Sequence, residues 1–160
     1  MKNPFRAFFR SRLLRRDRST VPTGLLPLSR TGSAAVFVDG TGEEDTTEVC
    51  ALIWDSFNRL GIPVCILCPR PGDLNWLGIQ RKRVRAAQTP RQEDLFISLA
   101  ASPECFAAQY EACCSKARFK VGRCALPGGE YDLVVAPPEG GEATQAKAFV
   151  AIMDYLEKIR

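Results

Sequence analysis

The chain alternates short apolar runs with longer stretches in which apolar positions recur every three or four residues. "AAVFVDG" (34–40), "IPVCILCP" (62–69) and "DLFISLAA" (94–101) are continuous apolar runs bounded by turn residues, the pattern of strands buried on both faces. "RFKVGRC" (118–124) and "YDLVVAP" (131–137) predict two more strands, separated by a Pro-Gly-Gly turn. "DTTEVCALIWDSFNRLG" (45–61) opens on an Asp or Thr cap and stops at Gly61. It sets Val49, Leu52, Ile53, Phe57 and Leu60 on one helical face. "SPECFAAQYEACCSKA" (102–117) predicts a second helix, with Ser102 as N-cap and Pro103 at the first helical position. The last, "EATQAKAFVAIMDYLEKIR" (142–160), carries Phe149, Ile152, Met153, Leu156 and Ile159 on one face. This order predicts an α/β domain over 34–160: a single open, mainly parallel, Rossmann-like sheet flanked by helices. Residues 70–93 break the rhythm and predict a long loop, with a short helix or strand around 79–87.

Ahead of the domain stands "NPFRAFFRSRLLRRDR" (3–18). Phe5, Phe8, Phe9 and Leu13 fall on one face of a helical period and arginines fill most of the rest, so residues 1–18 predict a basic amphipathic arm. Residues 19–33, rich in Pro, Gly and hydroxyls, predict a linker. Three phenylalanines gain about 1.5–3 kcal/mol each when buried, so a cover is expected for them. The cover is the body of the protein, a membrane, or a partner that orders the arm.

Charge sharpens this picture. The 160 residues carry a net charge of +4, yet seven of the 22 positive side chains and only one of the 18 negative ones lie in residues 1–18. The body is therefore slightly acidic and the arm strongly basic, which points to a polyanionic partner, nucleic acid or an anionic membrane surface. Arg6, Arg10, Arg12, Arg15, Arg16 and Arg18 are the candidate contacts on the arm. Arg81, Lys82, Arg83, Arg85 and Arg91 in "QRKRVRAAQTPR" (80–91), just after Trp76, form a second candidate patch, fit to grip phosphates beside a ring that can stack on an unpaired base. No run is long enough to span a membrane, and no unbroken apolar stretch marks a secretory signal. Seven cysteines in such a chain read as free thiols in a reducing compartment, with the cytoplasm as the expectation.

Chemistry is harder to find. The chain has no His, which removes Ser-His-Asp and Cys-His catalysis. "CILC" (65–68) lies within a strand, where positions i and i+3 point to opposite faces, so it reads as core packing rather than a metal or redox pair. Asp39, Glu43, Glu44 and Asp45 follow the first strand, where open α/β sheets bind ligands. They mark a possible small-ligand or Mg²⁺ turn, against the plainer reading of a polar turn before an acidic helix start. "GTGEED" is neither a dinucleotide fingerprint nor a P-loop, and its acids would repel phosphate. No catalytic residue, metal site or cofactor is expected.

The basic N-terminal helix, "NWLGIQ" with Trp76 and Gly78, "DLFISLA", "SKARFKVGR", "YDLVV" and the final "YLEKIR" together resemble a family of small Bacteroidota proteins built on a domain of unknown function. The resemblance spans most of 34–160 plus the arm; the cysteine-rich positions and "APPEGGEA" depart from it. It implies a cytoplasmic bacterial protein and brings no activity. "DLFISLAAS…SKARFKVG" is also similar in layout to the N-terminal half of heptosyltransferase-type glycosyltransferases, a likeness of architecture only. The expectation is therefore a non-enzymatic binding or accessory protein associated with RNA or a ribonucleoprotein through its basic arm. The alternatives are a membrane-peripheral adaptor and an orphan enzyme or small-ligand binder using the Asp39–Asp45 turn. A protein partner for the arm is also open.

Overall fold

A computed structural model describes residues 2–86, with backbone only at 85 and 86, together with 91–136 and 143–160. Its centre is a sheet of five parallel strands, β1 (Ala34–Phe37), β2 (Val64–Leu67), β3 (Leu95–Ser98), β4 (Phe119–Gly122) and β5 (Leu133–Val134), in the order β2-β1-β3-β4-β5. That is the doubly wound 2-1-3-4-5 order, with its reversal of direction between β1 and β3. Around the sheet run α1 (Pro4–Asp17), α2 (Thr47–Leu60), α3 (Lys82–Ala86), α4 (Phe106–Cys114) and α5 (Gln145–Lys158). The open parallel α/β fold expected from the sequence is the fold observed.

Alternation along each strand builds two cores. Ala34, Val36, Leu95, Ile97, Phe119 and Val121 face α2 and α5, where they meet Ile53, Phe57, Phe149 and Ile152. Ala35, Phe37, Leu67 and Phe96 face α4, through Ala107, Ala108 and Ala112. Cys65 packs with the second core and Cys68 with the first, so the CILC thiols lie on opposite sides of the sheet. The small alanines of α4 let that helix sit close to the sheet.

Two places differ from the sequence reading. Ser102 does not cap α4: its hydroxyl accepts from the Glu104 amide at 3.1 Å and its carbonyl from the Cys105 amide at 3.2 Å, closing a turn, and the helix starts at Phe106. Ser and Pro suit a turn as well as a helix start, and here the turn wins. In the 70–93 segment the short helix expected around 79–87 is present as α3, and what differs is the turn ahead of it. Leu74 and Gln80 pair as an antiparallel bridge around a tight turn, and the short helix α3 follows. In that turn the Asn75 side chain accepts from the Leu77 and Ile79 amides at 2.9 and 3.3 Å, while the Gly78 amide donates to the Asn75 carbonyl at 3.0 Å. Gly78 has φ +87°, which a side chain would strain.

Among the described residues the connection after β2 holds one α-helix, the five-residue α3, and the ten residues 123–132 pass from β4 to β5 without one. The outer side of α4 is covered by α1. Leu13 and Leu14 pack with Ile79, Phe106 and Tyr110. The Arg10 Nε donates to the Leu77 carbonyl at 2.7 Å, and its guanidinium lies 4.4 Å above the Phe106 ring. The Tyr110 hydroxyl donates to Asp17, and the Cys113 thiol to the Leu14 carbonyl. Segment 19–33 then straps the arm down: the Ser19 amide donates to the Cys113 carbonyl, the Gly24 amide to the Arg118 carbonyl, and Leu26 and Leu28 reach the first core.

The inner face of α1 is therefore Arg6, Arg10, Leu13, Leu14 and Asp17, and this corrects the single apolar face expected of it. Leu13 turns inward, whereas Phe5, Phe8 and Phe9 turn out. The spacing of apolar residues allows either face to dock. The surface beneath decides, because it presents a free carbonyl, an aromatic ring and a phenol that suit guanidinium and carboxylate better than three phenyl rings.

Docking also buries Cys114 beside Leu13 and Leu14, pushing its thiol up from 9.0 to about 12 through desolvation. A folded value above the unfolded one means that stability is intact below pH 9 and is lost as pH rises from 9 toward 12. Cys114→Ala should flatten that alkaline loss, read as the melting temperature against pH. Gly78→Ala places a Cβ 2.8 Å from an Arg10 Nη atom on top of the strained φ. The strained φ should loosen the turn that seats Arg10, lower the melting temperature by about 2–6 °C, and speed alkylation of Cys114 in the native protein.

Candidate functional site

With Arg6 and Arg10 turned inward, the outer face of α1 carries Phe5, Phe8, Phe9, Arg12, Arg15 and Arg16. Asn3 caps the helix by accepting from the Phe5 amide at 3.0 Å, and Pro4 opens it, so the phenylalanines fall in its first two turns. Phe5 is 72 % exposed and Phe8 58 %, values that leave no doubt that the body does not cover them. Beside them Trp76, at the tip of the 74–80 turn, is 60 % exposed. The rings form one chain: Phe8 and Phe9 lie edge to face with centroids 5.6 Å apart, and Phe9 and Trp76 likewise at 5.8 Å. Trp76 is held there by the Asn75-centred turn, whose neighbouring Leu77 carbonyl is the acceptor of Arg10.

The arginines continue the same face toward the C-terminus of the helix. At 3.6 residues per turn, Arg12 and Arg16 fall within about 20° of Phe5 around the axis. Phe8, Arg12, Arg15 and Arg16 line one shallow depression. Arg16 is tethered to Asp17, donating at 2.7 and 3.0 Å, which holds its guanidinium above the usual range while leaving it exposed. Arg18 turns away to Glu130 at 3.4 Å. The Arg10 guanidinium is held below its usual range by burial and by Arg6. The arm thus divides its arginines: Arg10 and Arg18 fasten it, Arg6 turns inward beside Arg10, and Arg12, Arg15 and Arg16 face outward.

The second basic patch divides too. Arg81, Lys82 and Arg83 are exposed, directly after the turn that carries Trp76, and the Arg81 amide donates to the Asp73 carbonyl at 2.8 Å to close that turn. The side chain of Arg85 lies outside the described residues. Arg91 is a structural cation, 3.0 Å from Glu111 and 3.8 Å from Glu93, in a site where Glu93 also accepts from the Ser115 hydroxyl at 2.8 Å.

The Asp39–Asp45 turn has a local use for most of its carboxylates. Asp39 accepts from the amide and hydroxyl of Thr41, and Asp45 accepts from the Thr47 amide at 2.9 Å, which lowers its carboxyl and starts α2. Glu44 accepts from the Gln145 amide at 2.8 Å, and the buried Gln145 side chain both accepts from the Asp39 amide at 2.7 Å and donates to the Asp39 carbonyl at 3.0 Å. Glu43 is exposed. Nearby, Arg123 donates to the Leu99 and Ala143 carbonyls, so protein side chains tie together the carboxyl ends of β1 and β3. Among the described residues no group of three or more Cys, Asp or Glu side chains is placed to hold a metal ion.

Two features escaped the sequence reading. The inward role of Arg10 needs a partner carbonyl and ring that only the fold brings together. The pairing of Trp76 with Phe9 joins residues 67 apart in the chain. Among the described residues no helix is long and apolar enough to cross a membrane. Against protein-family models, curated proteins and solved structures the chain finds no match.

Proposed function

We propose that the protein is a non-enzymatic binding protein that engages RNA, free or within a ribonucleoprotein, through the outer face of α1 and the adjoining 81–83 stretch. One observation carries the reading: a row of exposed aromatic rings and a row of unburied arginines lie end to end on a helix whose other face is pinned to the body. Guanidinium groups supply phosphate contacts and rings supply stacking on bases, the two components of an RNA-binding surface. Arg81, Lys82 and Arg83 extend the positive charge past Trp76. Seven free thiols favour a reducing compartment, the cytoplasm, in keeping with the resemblance to small Bacteroidota proteins.

The exposed phenylalanines equally suit a membrane-peripheral adaptor. An interfacial helix, however, separates its apolar and basic residues around the axis. Here Arg12 and Arg16 share the face of Phe5 and would be pressed to the depth of the rings. The separation runs along the axis instead, which favours a linear polyanion over a bilayer.

The test is sedimentation of the full chain with native RNA particles at low and high salt, beside an Arg12→Ala/Arg15→Ala/Arg16→Ala variant whose docking residues are intact. The native protein should co-migrate with RNA at low salt and leave it as salt rises. Loss of three phosphate contacts should reduce the log–log salt slope of binding by about 2. Migration at the top of the gradient in both salts, or a slope unchanged in the variant, would overturn the reading.

A further inference from the structure

Resting on that reading, we infer that the RNA this surface takes is single-stranded, with unpaired bases stacking on Trp76, Phe9 and Phe8 while Arg12, Arg15 and Arg16 hold the phosphates that follow. Three observations lead here.

The rings come first. Phe8, Phe9 and Trp76 meet edge to face, at interplanar angles of 75° and 77°, so successive rings turn their faces in different directions. Such a platform offers faces to bases that are splayed apart. A duplex hides its base faces inside the stack and would bring only sugar and phosphate to these rings, leaving them uncovered.

The second is the fixed back of the helix. α1 is held by Arg10 on Leu77 and Phe106, by Leu13 and Leu14, and by Asp17 on Tyr110. The pinned back leaves only the outer face of the helix, with its rings and arginines, to meet a partner. The major groove of an RNA duplex is too deep and narrow to be read by side chains on such a face. Only a strand lying across the outside can reach both the rings and the arginines.

The third is the polarity of the face. Aromatics occupy its first two turns and arginines its last two, with Ser11 as its only uncharged polar side chain. It lacks the amide side chains that read base edges, so recognition rests on stacking and charge and tolerates sequence, as in other surfaces for single strands.

The experiment is fluorescence anisotropy of the full-length protein at fixed low salt. The two probes are a labelled oligouridine of about twelve nucleotides, within common site sizes for such surfaces, and an RNA duplex of the same length. The single strand should bind more tightly. Trp76→Ala and Phe8→Ala should each weaken it at least about fivefold, the lower end for loss of one stacked base, without moving the duplex; Arg15→Ala should weaken both. Both aromatic residues are exposed, so an unchanged melting temperature confirms that the fold is intact. Equal affinity for the two probes with no effect of Trp76→Ala would overturn the inference while leaving the RNA reading standing. Binding of neither probe would overturn the RNA reading itself. So would binding of the same protein to anionic phospholipid vesicles in place of RNA with the same dependence on Phe8.

Discussion

Arg10 decides what the N-terminal arm can be. Its Nε bonds the Leu77 carbonyl at 2.7 Å and its guanidinium covers the Phe106 ring at 4.4 Å, so one side chain joins α1 to both the 74–80 turn and α4. A charge-assisted hydrogen bond contributes about 1.5–3 kcal/mol and a partly desolvated cation–π contact about 0.5–2 kcal/mol. The arrangement uses the close approach that Gly78 allows, and it uses the flank of α4 at Phe106 and Tyr110, against which Leu13 and Leu14 pack. Once Arg10 is fixed inward, helical geometry fixes the rest: Leu13, Leu14 and Asp17 follow it to the body, and the phenylalanines and remaining arginines have only the outside to occupy.

Most of the fold was legible because the strands and the helices α2 and α5 follow simple periods. "AAVF", "LFIS" and "FKVG" read as buried strands and are fully buried. The CILC thiols separate to opposite faces as the strand period requires. The element ends were less legible, since local turn chemistry competes with helix starts, and Ser102 and Pro103 went to a turn. The arm was legible as a helix and illegible as a surface. Arginine carries an apolar stem and a planar head, so it can dock on a ring and a carbonyl as readily as it can face water. No periodicity distinguishes the two uses; Arg10 and Arg12 look alike in the sequence and do opposite things in the structure.

The same limit applies to the 70–93 segment. Asn75 and Gly78 mark a turn on their own chemistry, but that its tip would clasp α1 depends on where the sheet sends the chain after β2. The basic residues 81–83 gain their interest only from that placement, and Arg91, ten residues on from Arg81, is consumed by Glu111 and Glu93. Charge density along a sequence overstates the charge available to a partner, because part of it is spent on holding the structure.

Doubly wound sheets commonly use the crevice where the strand order reverses to bind ligands. Here Gln145 spans from the start of α5 to both backbone groups of Asp39, and Arg123 ties the end of β3 to the residue before Thr144. Those contacts spend on cohesion the polar groups that such a crevice would otherwise offer. The flank of the sheet shows the reverse economy. There a tight turn and the N-terminal helix cover the flank of α4, and four aromatic side chains stay exposed although each would gain by burial. A surface that keeps apolar rings in water beside outward-facing arginines gains when a partner covers it. The proposed single strand would meet both halves at once, with its bases on the rings and its phosphates on the arginines.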